Sequence, residues 1–261
     1  MAYQFIRFEL DQGVAWIALN RPDVLNSMHL PMAREVQQAL DAAARDENVR
    51  AVLLSAEGRA FCAGQDLGAV PLDGPMPDLA EIVHAQYNPI IRGLRTIPKP
   101  VVCAVNGVAA GAGANLALAC DIVIAATDAT FIQAFTRIGL IPDSGGTFTV
   151  PRLVGMARTT GLMMLGDKLT ATQARDWGLI WDVVEPTALL STARELTQRL
   201  ATQPTRALGL LKQLLNASLG NDLGAQLDLE AKLQAEAGRT EDFLEGVRAF
   251  REKRKPSFRG R

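Results

Sequence analysis

Histidine is scarce in this chain of 261 residues: there are two, His29 and His84. Neither has a partner at metal-ligand spacing, and both are read as surface or loop residues. No GxSxG elbow occurs. Ser144 sits in PDSGG with no histidine near it in sequence to activate it, which argues against a serine hydrolase. Cysteine is scarce too. Cys62, Cys103 and Cys120 form no Cys-x-x-Cys pair and are odd in number, so a reducing, cytoplasmic setting is expected, with neither a disulfide framework nor a zinc site. There is no excess of either charge: 27 Lys+Arg stand against 28 Asp+Glu, a formal net charge of -1. The basic footprint of a nucleic-acid-binding protein is therefore missing. The phosphate loop GxxxxGKS/T is absent. Gly111-Ala-Gly113 follows a strand, but Leu116 stands at the third glycine of GxGxxG, so a dinucleotide site is not expected. The opening MAYQFIRFEL lacks the basic start and long apolar run of a signal peptide. No low-complexity tract or flexible linker is found.

What is present is core. Apolar residues make up 48% and charged residues 21%, a globular rather than disordered composition. One stretch, VVCAVNGVAAGAGANLALAC at 101–120, carries no charge and has the nominal length of a membrane span. It is mostly Ala and Gly, holds Asn106 and Asn115, and is bracketed by Pro98-Lys99-Pro100 and Asp121. A buried strand, a turn and a buried helix are expected there, with no membrane partner.

The β-rich runs YQFIRFEL and VAWIAL, joined by Asp11, Gln12 and Gly13, read as a hairpin. A helix is expected from about Pro31, with Met32, Val36, Leu40 and Ala43 on one face. A strand at 51–56, a long Gly/Pro-containing loop at 57–78 and a helix from about 79 to 95 follow. Then come strand VVCAV, turn NGVAA, a helix from about 111 to 119 and strand DIVIAA. This alternation predicts an α/β fold of repeated strand–helix units through residue 185. After Pro186, leucines such as Leu196, Leu208, Leu215, Leu227 and Leu233 recur at helical spacing. Residues 186–261 are read as a helical C-terminal section packed on a 1–185 catalytic core.

Three segments could carry chemistry. FCAGQDL at 61–67 and NGVAAGAGAN at 106–115 each run from a strand through small residues towards an expected helix start. Backbone N–H groups at helix starts lack intrahelical partners, and small residues let a ligand oxygen approach them. Two such amides aimed at one point make an oxyanion hole. Close helix–strand packing would call for the same residues. The third segment, IGLIPDSGGT at 138–147, places Asp143 in a turn with apolar neighbours. There it could be a proton carrier of raised pKa or the cap of the following helix.

Taken together and in order, NRPDVLNS, GRAFCAGQDL, KPVVCAVNGVAAGAGANLALACDIVIA, GLIPDSGGTFTVPRLVG and the terminal FREKRKPSFRG resemble the enoyl-CoA hydratase/isomerase (crotonase) superfamily over the whole chain. The resemblance implies a spiral of strand–helix units, an acyl-CoA thioester substrate and no metal or redox cofactor, CoA being part of the substrate. It implies that the amides of Gln65 and Ala112 form an oxyanion hole for a thioester enolate and that Asp143 is the acid/base. The hydratases' two glutamates fall at Asn115 and Phe135, and Asp143 stands where they have glycine, which turns the expectation from hydration to isomerisation. YNPIIRGL and WGLIWDVV resemble the phenylacetate-degrading branch, which implies conversion of a ring 1,2-epoxide of phenylacetyl-CoA to its oxepin. A general Δ3,Δ2-enoyl-CoA isomerase and a non-catalytic acyl-CoA-binding pathway subunit are the alternatives. A dehalogenase that also uses this Asp pairs it with a histidine whose place is Asn88 here. Val24, Leu25, Ala63, Asp66 and Leu67 are implied contacts of pantetheine or adenine, and Lys253 of the CoA phosphates. Phe135, Ile132 and the 68–87 segment are expected to wall the acyl pocket. A homotrimer or hexamer, with other enzymes of phenylacetate breakdown as partners, completes the expectation.

Overall fold

The computed structural model describes residues 3–69 and 77–261. The part of the expected acyl wall at 70–76 lies outside the described residues.

Strands β1 (Ile6–Asp11) and β2 (Val14–Leu19) form the expected antiparallel hairpin, turning through Gln12 and Gly13, both at positive φ. Helix α1 (Leu30–Arg45) buries Met32, Val36, Leu40 and Ala43 on one face. Lys99, itself buried, donates from Nζ to the carbonyls of Ala43 (2.6 Å) and Asp46 (2.7 Å). A cation there satisfies acceptors that a helix end leaves unpaired and matches the negative end of its dipole.

Strand β3 (Ala51–Ala56) follows, and then a strand hidden inside the expected long loop, β4 (Ala60–Cys62). Beyond it, α2 (Leu79–Ile82), a π-helical turn at Val83–Tyr87 and α3 (Asn88–Thr96) run on as one rod. The uncharged stretch becomes β5 (Val101–Val105), β6 (Val108–Ala110) and α4 (Ala112–Leu118). The NGVAA segment is thus partly strand rather than all turn. No described helix is long and apolar enough to cross a membrane. Next come β7 (Ile122–Ala126), β8 (Thr130–Ile132) and α5 (Gly146–Leu165), the last broken at Gly155. Strand β9 (Lys168–Thr170), helix α6 (Ala171–Asp176) and strand β10 (Asp182–Val184) complete this part.

The repeating unit is therefore strand–strand–helix. The pairs β3/β4, β5/β6 and β7/β8 each give one strand to a large sheet, ordered β1-β2-β3-β5-β7-β10, and one to a small sheet, ordered β4-β6-β8-β9. The second strand of each pair has three residues, too few to show a period-two pattern. Within the large sheet every pairing beyond the first hairpin is parallel, and β5 is buried at every residue. Full burial suits a parallel strand covered on both faces.

The C-terminal section is helical, as expected: α7 (Leu189–Ala201), α8 (Thr205–Ser218), α9 (Leu223–Ala237) and α10 (Glu241–Glu252). The core continues past residue 185, since α7 lies on β3, β5 and β7 and gives Leu189, Ala193 and Ala201 to the main hydrophobic cluster. Helix α8 is fastened by buried Lys212, whose Nζ donates to Asp121 Oδ2 (2.7 Å), while the same oxygen accepts from Val101 N–H (2.9 Å). The final residues fold back on α10. Buried Asp242 accepts the N–H groups of Arg259 (2.6 Å) and Gly260 (2.7 Å).

Candidate active site

The small sheet brings the first two chemical segments together. Parallel pairing of β4 with β6 sets Cys62 opposite Ala109, and both strands lead directly into their small-residue turns. Gly64 has φ +91, and a Cβ built on it would lie 2.9 Å from Ala110 O and 3.6 Å from Ala112 N. Any side chain at Gly64 would fill the space in front of the Ala112 amide. A Cβ on Gly113 would collide with the backbone of Cys62. Both glycines allow the two turns to touch.

The amide directions follow from local bonding. Gln65 forms a parallel bridge with Met28, flanked by Met28 N–H to Gly64 O (2.7 Å) and Asp66 N–H to Met28 O (2.9 Å). In such a bridge the N–H of the central residue points to the opposite side of its strand, so that of Gln65 faces away from Met28. The sequence suggested a helix start here. The strand bridge orients this amide instead, and only a short 3-10 turn at Leu67–Ala69 follows. Ala112 does open a helix. It is the first residue of α4 after Gly111 (φ 54), so its N–H has no intrahelical acceptor. Phe135 covers this turn, its Cζ 3.7 Å from where a Gly111 Cβ would stand. Phe135 and Ile132 are both buried.

Asp143 reaches the same place through Asn115. The Asn115 Nδ2 donates to Asp143 O (2.9 Å), and Gly146 N–H donates to the same carbonyl (2.9 Å). Asn115 lies one turn along α4 from Ala112, on the same side of the helix. The capping alternative for the Asp143 carboxylate fails: the N-cap of α5 is Gly145, in the left-handed region, with no side-chain cap. The carboxylate instead accepts a hydrogen bond from Ser144 Oγ (2.7 Å). Burial raises the Asp143 pKa above the ordinary aspartate value, and the Ser144 hydroxyl pulls in the other direction.

Tyr87, buried at the end of the π-helical turn, spans both parts of the site. Its hydroxyl donates to Gln65 Oε1 (2.6 Å). Burial raises its pKa, and Cys62, Asp143 and Asp66 raise it further. Tyr87 closes the 68–87 segment expected to wall the acyl pocket and opens YNPIIRGL, but no sequence signal marked its hydroxyl or its bond to Gln65. Ser144 was weighed in the sequence as a nucleophile, not as the partner of the Asp143 carboxylate, and Gln133 was missed. Asn88 lies one residue beyond Tyr87, and its side chain contacts His84 (3.3 Å).

Of the expected CoA contacts, five form one surface. Ala63 N–H donates to Leu25 O (3.0 Å), and the Met28–Gln65 bridge continues the seam. Val24 and Leu67 are exposed on it, and Leu25 holds a left-handed conformation. The Asp66 carboxylate pairs with Arg21 (3.0 Å) and accepts Gly68 N–H (3.2 Å). Lys253 stands apart, exposed as the left-handed C-cap of α10. Its neighbour Arg254 is bound to Glu245 and Glu252, whereas Lys253 and Lys255 make no ion pair among the described residues. No group of three or more His, Cys, Asp or Glu that could hold a metal ion occurs among the described residues.

Comparison with known proteins gives this geometry a family. The enoyl-CoA hydratase/isomerase profile matches residues 9–261. The chain belongs to the enoyl-CoA hydratase/isomerase family. It is 51% identical to the 1,2-epoxyphenylacetyl-CoA isomerase of Escherichia coli (strain K12), over 99% of each chain. It is 48% identical, over 100% of each, to a Rhodobacter capsulatus protein named "Probable enoyl-CoA hydratase". A solved enoyl-CoA hydratase/isomerase of Cupriavidus metallidurans CH34 superposes with a TM-score of 0.92 at 32% identity, covering 100% of this chain and 98% of that one. The fold is that of the crotonase superfamily, and the protein is an enzyme of this family.

Proposed function

We propose that the protein isomerises an acyl-CoA thioester through a thioester enolate, with the ring 1,2-epoxide of phenylacetyl-CoA as substrate and its oxepin form as product. The observation that carries this reading is the carboxylate of Asp143. It is half-buried, of raised pKa, and committed to neither a helix cap nor an ion pair among the described residues. An acid so placed can take a proton and return it. The name of the E. coli relative supports the choice of substrate.

In the proposed reaction the epoxide is in equilibrium with its seven-membered oxepin, formed by electrocyclic breaking of the C–C bond between the two epoxide carbons, and ionised Asp143 removes the proton α to the thioester. Negative charge moves onto the thioester oxygen, where the Gln65 and Ala112 amides stabilise it. The protonated carboxyl then delivers the proton at the γ carbon, giving the conjugated product. One carboxyl group serves both steps because the proton travels across one face of the substrate. Hydration is disfavoured at the same site. Asn115 is spent on the Asp143 carbonyl and Gln133, and Phe135 and Ile132 offer apolar surface where a water would have to be activated.

The surface formed by Val24, Leu25, Ala63, Asp66 and Leu67 would carry pantetheine and adenine, with Lys253 at the CoA phosphates. The exposed apolar residues of the later helices, among them Met156, Met164, Leu215, Leu223 and Phe250, support the trimer-based assembly that the family resemblance implies. Incubation with ring-epoxidised phenylacetyl-CoA and, separately, a linear 3-enoyl-CoA tests the reading by product mass and ultraviolet spectrum. Conversion of the epoxide supports it. Conversion of the linear substrate alone moves the assignment to a Δ3,Δ2-enoyl-CoA isomerase, and no conversion of either removes it.

A further inference from the structure

Asn115 and Gln133 are buried polar side chains, exposed by 2% and 5%, and neither holds a charge or a ligand. A buried amide is costly unless its hydrogen bonds are made. Asn115 makes both of its kinds: Nδ2 donates to Asp143 O (2.9 Å), and Oδ1 accepts from Gln133 Nε2 (2.8 Å). The Asn115 amide also occupies the space left by the absent side chain of Gly146, since a Cβ there would collide with it. The order of these bonds has a direction. The Asp143 carbonyl can only accept, so it holds the Asn115 Nδ2 towards itself and turns Oδ1 to Gln133, whose Nε2 supports that orientation while its own Oε1 has no hydrogen-bond partner among the described residues. Asn115 in turn ties the peptide that carries the Asp143 side chain to α4. Asn115 lies on α4, whose first residue offers the Ala112 amide.

We infer that Asn115 is a positioning residue that ties the Asp143 turn to the oxyanion-hole helix, and that Gln133 acts through Asn115 by supporting its amide orientation. The inference rests on the reading of Asp143 as the acid/base. One short helix then fixes the place where negative charge develops and, through one amide, the group that moves the proton. A carboxylate at position 115 could not do this, because it would set an acceptor against the Asp143 carbonyl.

The test is a double-mutant cycle on the full enzyme, with kcat, KM and the rate of α-proton exchange into deuterated water measured per folded protein. Asn115→Ala removes the tie. Gln133→Glu keeps the shape but replaces the donor facing Asn115 Oδ1 by an acceptor, which favours the flipped amide. Each should lower kcat and exchange together by roughly 10- to 100-fold, in line with the cost of a misplaced catalytic group, while KM changes by less than about threefold. The double variant should be no slower than Asn115→Ala, because coupled residues are non-additive. A merely structural role would lower the yield of folded protein or the melting temperature and leave kcat per folded enzyme unchanged, which overturns the inference. Multiplying defects in the double variant would overturn the route through Asn115. Asp143→Asn is run in parallel. If it is inactive while Asn115→Ala is fully active, the positioning inference fails and the acid/base reading stands. If Asp143→Asn is fully active, the acid/base reading itself has failed.

Discussion

Gly64→Ala is a one-carbon perturbation whose consequences follow from two distances and an angle. The backbone at Gly64 has φ +91, and the new Cβ would stand 2.9 Å from Ala110 O. A side chain in that backbone region costs on the order of 1–3 kcal/mol. The contact is with backbone, so no rotamer change relieves it and one of the two turns has to move. Ala110 is bonded through Gly111 to Ala112, whose N–H lies 3.6 Å from the same Cβ. The displacement therefore falls on the amide proposed to hold the enolate. Losing one oxyanion donor typically lowers kcat about 10²–10³-fold, equal to about 3–4 kcal/mol on the barrier. KM should change little, because the lost interaction is strongest in the transition state. Gly155→Ala is the control. It also has positive φ, at +78, but its Cβ would meet nothing within 4 Å. It should share the loss of melting temperature and keep its kcat. Steady-state kinetics and thermal melts of the two variants decide the matter. A Gly64→Ala enzyme destabilised like Gly155→Ala, with kcat within a few-fold of wild type, would refute the assignment of the hole.

Two further outcomes are expected. Ser144→Ala removes a hydrogen bond that favours the ionised form of Asp143, so the Asp143 pKa should rise further. The acidic limb of the pH dependence of kcat should then move to higher pH, since proton removal needs the carboxylate; a shift to lower pH would contradict the role given to Ser144. Light scattering at micromolar concentration should give a mass that is a multiple of three chains, and a stable monomer would dismiss the assembly proposed for the exposed apolar face.

The sequence made long elements legible and short ones invisible. The apolar stripe Met32-Val36-Leu40-Ala43 marked α1, and the leucine spacing after Pro186 marked α7 to α9, because periodicity accumulates over several turns. Strands β4, β6 and β8, three residues each, were absorbed into loops and turns, so the unit was read as strand–helix. The second sheet is made of tertiary pairing, which no local pattern reports. The proposed hole residues and Asp143 came from motif resemblance, whereas composition left them balanced between catalysis and packing. For Asp143 the structure removes the capping alternative, since the cap of α5 is Gly145. The direction of the Gln65 amide was out of reach because it depends on Met28, far away in sequence. Asn115 and Gln133 could be seen as polar letters in apolar runs, but their mutual orientation depends on partners that only the fold supplies.

The central claim is that one carboxylate moves the proton. It is tested most directly by following exchange of the substrate's α-proton with deuterated water in wild type and in Asp143→Asn, by mass spectrometry of the acyl-CoA. Asparagine keeps the shape and can still meet the Ser144 hydroxyl, so binding of the CoA thioester should be preserved. General acid–base groups typically contribute about 10²–10⁴-fold, and exchange should fall by that much or more, together with turnover. Exchange at the wild-type rate in Asp143→Asn would contradict the mechanism and return Asp143 to a structural role.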